Sequence, residues 1–164
     1  MKRVLVLAAL IFLNFICVAE TPHGCASAAA SKSNEDEVFL QDSGSTNAAS
    51  FCYAVTRSGK VAKRTGATIF QKRQGAPVPP DEQGSIPASL AEKLFGDVEA
   101  AMPLSALPAA RCAKSVSFGS YRYVWFKGEK SPDLCGRGSE KVAALQQDFA
   151  RVMSSAVFEH VSKE

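Results

Sequence analysis

FCYAVTRSGKVAKRTGATIFQ, residues 51–71, decides the fold class. Phe51, Tyr53 and Val55 alternate with Cys52, Ala54 and Thr56, the period-two pattern of a strand with one face on a core. Arg57-Ser58-Gly59-Lys60 supplies turn chemistry, because Gly59 takes a positive φ without steric cost. A second strand is expected from about Val61 to Gln71, with Gly66 as a bulge. Together the two read as a β-hairpin.

Gln74–Ser85 (QGAPVPPDEQGS) is a Pro/Gly loop. Beyond it Leu90, Leu94, Phe95, Val98 and Met102 fall on one stripe at helical spacing. Pro87 suits a first-turn position, Ser89 and Glu92 have capping-box spacing, and Pro103 and Pro108 end the helix. Lys114–Phe126 (KSVSFGSYRYVWF) is the strongest β segment, rich in aromatic and β-branched residues, and Lys127-Gly128-Glu129-Lys130 turns it. Ser131-Pro132-Asp133-Leu134 leads to Cys135. A last amphipathic helix is expected over Glu140–Val161, with Val142, Leu145, Phe149, Val152, Ala156 and Val157 as its stripe and Ser139 as N-cap. The sum is an α+β domain: an antiparallel sheet of two hairpin-like β units, with two amphipathic helices packed on one face.

The N-terminal side has a different character. MKRVLVLAALIFLNFICVA, residues 1–19, has the basic start, apolar run and small-residue end of a secretory signal peptide. The apolar run is several residues short of a spanning helix, and neither Cys17 nor Cys25 follows a lipoprotein-type motif. Residues 20–49 read as a flexible tail, too poor in bulky apolar residues to order itself. Val38-Phe39-Leu40 is its exception, expected as a short edge strand. The expected organisation is a signal peptide at 1–19, the tail at 20–49 and one domain at 50–164, placed outside the cytoplasm as a secreted or periplasmic protein.

Export governs the reading of charge and cysteine. The 164-residue chain has a formal charge of +3, of which Lys2 and Arg3 supply two, leaving +1 on the mature protein. That balance argues against a nucleic-acid binder. Loss of Cys17 leaves Cys25, Cys52, Cys112 and Cys135, an even count that suits disulfides in an oxidising compartment. Cys112 and Cys135 flank one β segment and are expected to pair, contributing about 3 kcal/mol by loop closure. Cys25–Cys52 is then the remaining pair, with a buried free thiol at Cys52 as the alternative. No close cysteine pair and only two histidines, His23 and His160, point away from a metal site, and no cofactor is indicated.

The run Cys112-Ala113-Lys114-Ser115-Val116-Ser117-Phe118-Gly119, the later Gly128-Glu129-Lys130-Ser131-Pro132-Asp133-Leu134-Cys135, and Gly44-Ser45-Thr46-Asn47 before the first strand carry a resemblance. In these residues the chain resembles a group of small exported bacterial proteins with no assigned activity, over roughly residues 43–153. The resemblance implies a single exported domain and carries over no catalytic residue.

Catalytic constellations are hard to assemble. His23 lies in the tail and His160 near the end of the last helix, and G-x-S-x-G is absent, which excludes the usual hydrolytic triads. Paired carboxylates could serve glycosidase chemistry, but most acids sit on expected polar helix faces or turns. Asp133 reads as a turn carboxylate accepting backbone N–H groups, and Gly136-Arg137-Gly138 is too short for a phosphate loop.

Two features suit binding. Tyr121, Tyr123 and Trp125 share one face of the 114–126 segment, opposite Phe118, Val124 and Phe126. If Phe118, Val124 and Phe126 cover the helices, the tyrosines and tryptophan form an exposed row; otherwise the row is itself core or lies beneath the tail. Arg122, on the Phe/Val face, then needs a partner. Arg57, Lys60, Lys63, Arg64, Lys72 and Arg73 form a basic hairpin with no acid between Ser43 and Pro80, suited to an anionic surface or simply to a soluble edge. The loop 74–85 could present an inhibitor-like segment, but reads better as a connector. The expectation is a non-catalytic binding module for a cell-envelope polymer or an extracytoplasmic protein, not spanning the membrane once the signal is cleaved. A small carboxylate hydrolase of envelope polysaccharide is the alternative, and a purely structural envelope protein the third.

Overall fold

A computed structural model describes residues 36–159 except 78, 116 and 137, and omits the side chains of Ile69 and Lys72. The signal peptide, His23, Cys25 and His160 lie outside the described residues. Seven strands form one antiparallel sheet: β1 Glu37–Asp42, β2 Phe51–Thr56, β3 Lys60–Thr65, β4 Glu82–Ser85, β5 Arg122–Phe126, β6 Glu129–Lys130 and β7 Val157–Phe158. Their order across the sheet is β6-β5-β1-β2-β3-β4-β7. Among the described residues three α-helices accompany it: a five-residue α1 Ile69–Arg73, then α2 Ala88–Ala101 and α3 Glu140–Ser155. The chain is thus an α+β fold with an antiparallel sheet and two long helices.

Alternation sorts the strand residues. Val38, Leu40, Tyr53, Val55, Val61, Val124 and Phe126 face inward and join Leu94, Phe95 and Val98 of α2 and Val142, Leu145, Phe149 and Val152 of α3 in one core. Edge-to-face packing of Phe95 on Phe126, with centroids 5.8 Å apart, ties α2 to the sheet; Phe51 against Phe149 ties α3 to the same face. The outer face carries a smaller cluster of Phe39 and Cys52 with Ala54 and Trp125.

The expected tail boundary at residue 49 is corrected. Val38-Phe39-Leu40 is not an edge strand; it lies in β1, paired with β2 on one side and β5 on the other. Apolar residues on both of its faces fit an interior position, but a short run in a polar setting gives no such cue by composition.

Several element limits also differ, because a strand extends only as far as its partner does. β3 stops at Thr65, opposite the first residue of β2. The chain then turns into α1, where Thr68 and Gln71 cap each other: the Gln71 N–H donates to Thr68 Oγ1 and the Thr68 N–H to Gln71 Oε1. The last residues of the 74–85 loop become β4, paired with β3. β5 starts at Arg122 because β1 ends opposite it at Asp42; Phe118, expected inside, is 73% exposed in the preceding turn. α2 starts at Ala88 after Pro87 without a side-chain cap, so the Ser89–Glu92 box does not form. Ser139 caps α3 by accepting the Val142 N–H. That helix ends at Ser155, and Val157–Phe158 leave it to pair with β4.

Cys112 and Cys135 form a disulfide with Cα atoms 6.1 Å apart, an ordinary span. Cys52 is disulfide-bonded, so the buried free thiol is ruled out. Among the described residues no helix is long and apolar enough to cross a membrane, and no group of three His, Cys, Asp or Glu could hold a metal.

Asp148, expected on a polar helix face, is fully buried between α2 and α3. The Lys93 ammonium lies 3.2 Å from its Oδ1, and Lys93 also pairs with Asp97 one turn along α2. Burial, reinforced by the adjacent Asp97 carboxyl and opposed by Lys93, holds Asp148 above the usual carboxylate range. The Lys93 contact holds Asp97 below it. The folded state therefore keeps a proton on Asp148 where the unfolded chain has released it. Its contribution to stability falls as pH rises from the unfolded carboxylate value through the raised folded one. Asp97 contributes with the opposite sign at lower pH, losing its stabilisation as pH falls through its depressed pKa. Asp148→Asn cannot ionise. It is expected to remove the decline above the ordinary carboxylate range and to be more stable than the parent at neutral pH by about 1–3 kcal/mol, read from urea unfolding across acid to neutral pH. Phe126→Ala, by contrast, is expected to cost about 3–5 kcal/mol at any pH in the same assay.

Candidate functional site

β5 turns Val124 and Phe126 to the helices and Tyr123 and Trp125 to the outer face, and Tyr121 continues that row just before the strand. Tyr121 is 49% exposed, while Tyr123 and Trp125 are half-buried. The Tyr121 and Tyr123 rings are stacked, with centroids 6.4 Å apart and planes within 6°. Trp125 Nε1 donates to Gln41 Oε1 at 3.0 Å, which fixes the indole on β1. Desolvation, with the Asp133 charge and Tyr121 adding, pushes the Tyr123 phenol up, so it remains a hydrogen-bond donor at neutral pH.

Lysines lie against these rings. Lys130 Nζ is 3.6 Å from the Tyr123 centroid and 5.1 Å from that of Trp125. Lys114 Nζ is 4.4 Å from the Tyr121 centroid. Each is at cation–π distance. The β5–β6 turn decides where Lys130 goes. Lys127 and Gly128 both have positive φ, 50° and 77°, the requirement of a two-residue hairpin turn of the primed kind. The register then sets Lys130 opposite Trp125 and Glu129 opposite Phe126. Neighbours in sequence thus part: Lys130 joins the aromatic face and Glu129 the inner one.

Tyr121 is also a wall of a cavity of about 500 Å3 lined by residues of the segment 43–50 and by Lys114, Ser115 and Gly119, with Ala67 alongside. Hydroxyls knit the segments together. Ser45 Oγ donates to the Ser117 carbonyl at 2.7 Å, the Asn47 N–H reaches the same oxygen, and the Tyr121 N–H donates to Ser43 Oγ at 2.9 Å. Gly44 has φ +64°, and a Cβ there would stand 2.6 Å from the Ala48 carbonyl, so only glycine lets the chain leave β1 this tightly. Asp42, buried at the end of β1, accepts from the Gly44 N–H, Ser120 Oγ and Arg122 Nε. That contact is the partner Arg122 requires. Across the site Asp133 Oδ1 accepts the Arg122 N–H at 2.9 Å, while its Oδ2 pairs with Lys114 at 2.7 Å. The turn carboxylate therefore holds β5 and the cavity wall together.

The basic hairpin is not gathered into one surface. Lys63 lies on the inner side of β3, paired with Glu82 at 2.7 Å and set over Phe158. Arg64 points to the opposite side, paired with Asp81 through two nitrogens. Arg57 pairs with Glu99. Lys60 and Arg73 are exposed, and Lys72 lies in α1 with its side chain outside the described residues. The acids that meet these cations follow Pro80 in sequence, beyond the acid-free stretch, so the patch is a consequence of linear order.

Sequence reasoning grouped the aromatic row correctly by alternation but missed the cavity, whose walls it assigned to a tail and a strand. The available signal was composition: both segments are rich in Ser and Gly, which suit loops more than ladders. Comparison with protein-family models, curated proteins and solved structures finds no match for this chain. Asp42→Ala is expected to strand a buried N–H and the Arg122 guanidinium, costing about 2–3 kcal/mol. Amide exchange at residues 43–48 should quicken relative to β2 and β3, as hydrogen-exchange mass spectrometry would read.

Proposed function

We propose that this protein is an extracytoplasmic, non-catalytic binding module that engages a polymer of the cell envelope through the outer face of β5. One observation carries this reading: Tyr121, Tyr123 and Trp125 form a row on the face of the sheet away from the helices, and the row runs into the Ser- and Gly-rich cavity at Tyr121. Aromatic side chains with a polar tip supply large contact area at low entropic cost, the usual character of binding anchors. A cavity of this size with apolar and hydroxyl walls is of the class that accepts small polar ligands. The basic, apolar and small-residue pattern of residues 1–19 and the Cys112–Cys135 disulfide support a secreted or periplasmic location.

Trp125 is the sole tryptophan of the chain, so its fluorescence reports on this surface alone. Titration with solubilised cell-envelope polymer is expected to change the emission, and Tyr121→Ala, Tyr123→Ala and Trp125→Ala should each weaken binding about tenfold or more, measured by calorimetry, with the unfolding midpoint of Tyr121→Ala, the exposed member of the row, close to the parent's. Unaltered emission and unaltered binding in all three variants would remove the site.

A further inference from the structure

We infer that the polymer is anionic, a glycan or polyol chain bearing carboxylate or phosphate groups, and that Lys130 is the side chain that recognises the charge. This rests on the binding reading above and names its ligand class.

Of the two lysines set against the aromatic row, Lys114 is paired with an acid and Lys130 is not. Lys114 is neutralised by Asp133 and also donates to the Ser120 carbonyl. Arg122 is held by Asp42, Arg64 by Asp81 and Lys63 by Glu82. Lys130 has no acid within ion-pair distance among the described residues; its ammonium lies against the Tyr123 and Trp125 rings. It is half-buried, and the acid next to it in sequence, Glu129, is carried to the other face by the register. An ammonium over ring faces is fixed in direction and partly stripped of water, yet its charge is not cancelled. An anion beside it gains more than it would beside a fully solvated lysine.

The rings are not a bare platform. Tyr121 stacks on Tyr123, and Lys130 sits against Tyr123 as well. The row therefore offers ring edges, the protonated Tyr123 hydroxyl and one ammonium, donors suited to carboxylate or phosphate oxygens rather than to flat stacking of a neutral sugar. Tyr121, at the cavity wall, and Trp125, opposite Lys130, are four residues apart, about 13 Å along a strand. A ligand filling the cavity and also reaching Lys130 spans more than one monomer, which selects an oligomer or polymer. Among the described residues lining the cavity none is acidic, and Asp42 and Asp133 beside it are each paired with a cation, Arg122 and Lys114.

The test uses three probes on the purified exported protein: a soluble polyuronate, the same polymer with its carboxylates reduced to alcohols, and a poly(glycerol phosphate). Binding is read by Trp125 fluorescence and calorimetry at low and raised salt. The expected result is binding of at least one anionic polymer, at least tenfold weaker binding of the reduced form, and weakening by salt. Preference between the carboxylate and phosphate probes identifies the source of the charge. Lys130→Gln should lose about tenfold affinity for the anionic polymer and much of its salt dependence, with an unchanged unfolding midpoint, and Lys130→Arg should recover most of it. Equal binding of the reduced polymer, or full affinity in Lys130→Gln while Trp125→Ala is impaired, overturns the anionic assignment and leaves the aromatic site standing. Failure of all three probes to bind overturns the assignment; if solubilised envelope polymer also fails to bind, the binding reading falls with it.

Discussion

Strand β1 is hydrogen-bonded along both edges, to β2 from Glu37 to Asp42 and to β5 from Phe39 to Asp42. Among the described strands it alone joins the two parts of the sheet, the β2-β3-β4-β7 ladder and the β5-β6 hairpin. The strand meets this demand with apolar residues on both faces: Val38 and Leu40 in the main core, Phe39 in the outer cluster. Removing it would expose unpaired backbone groups on two neighbours as well as its own side chains, and each such buried group carries a desolvation cost.

The end of this strand organises the candidate site. At Asp42 the ladder stops, the carboxylate takes three donors from three different residues, and the chain reverses through Gly44. The reversal brings 43–50 against 114–121 and opens the cavity. Asp133 ties the opposite wall to β5 through Lys114 and the Arg122 N–H. Two carboxylates that look alike in the sequence to any surface acid thus shape the cavity. Buried or half-buried networks of this kind hold position because each missing partner would leave another group unsatisfied. The aromatic row inherits that rigidity at Tyr121, and at Trp125 through the bond to Gln41.

Legibility differed from residue to residue for physical reasons. The helical stripes of α2 and α3 and the alternation of β2 were readable because their periods are local properties of one segment. The grouping of Tyr121, Tyr123 and Trp125 was readable on the same ground. The start of β5 was not, since it depends on where β1 ends, eighty residues earlier. Asp148 is three residues after Leu145 and four before Val152, so it flanks the buried stripe; its full burial follows only once α2 packs against α3 and Lys93 comes to meet it. The charge of the hairpin was misleading because Lys63 and Arg64 find their acids across the β3–β4 ladder.

By itself the sequence determined an antiparallel α+β domain, the two amphipathic helices, the membership of the aromatic row and the Cys112–Cys135 pairing. Each of these follows from periodicity, turn chemistry or the flanking of one segment. Only the tertiary structure decided that Val38–Leu40 lies in an interior strand of the sheet, that a cavity lies beside Tyr121, that Asp148 is buried, and that Lys130 stands against the rings without an acid. Those outcomes depend on which strand finds which partner and in what register. A ladder joins residues distant in the chain, and a one-residue slip would move every side chain to the other face.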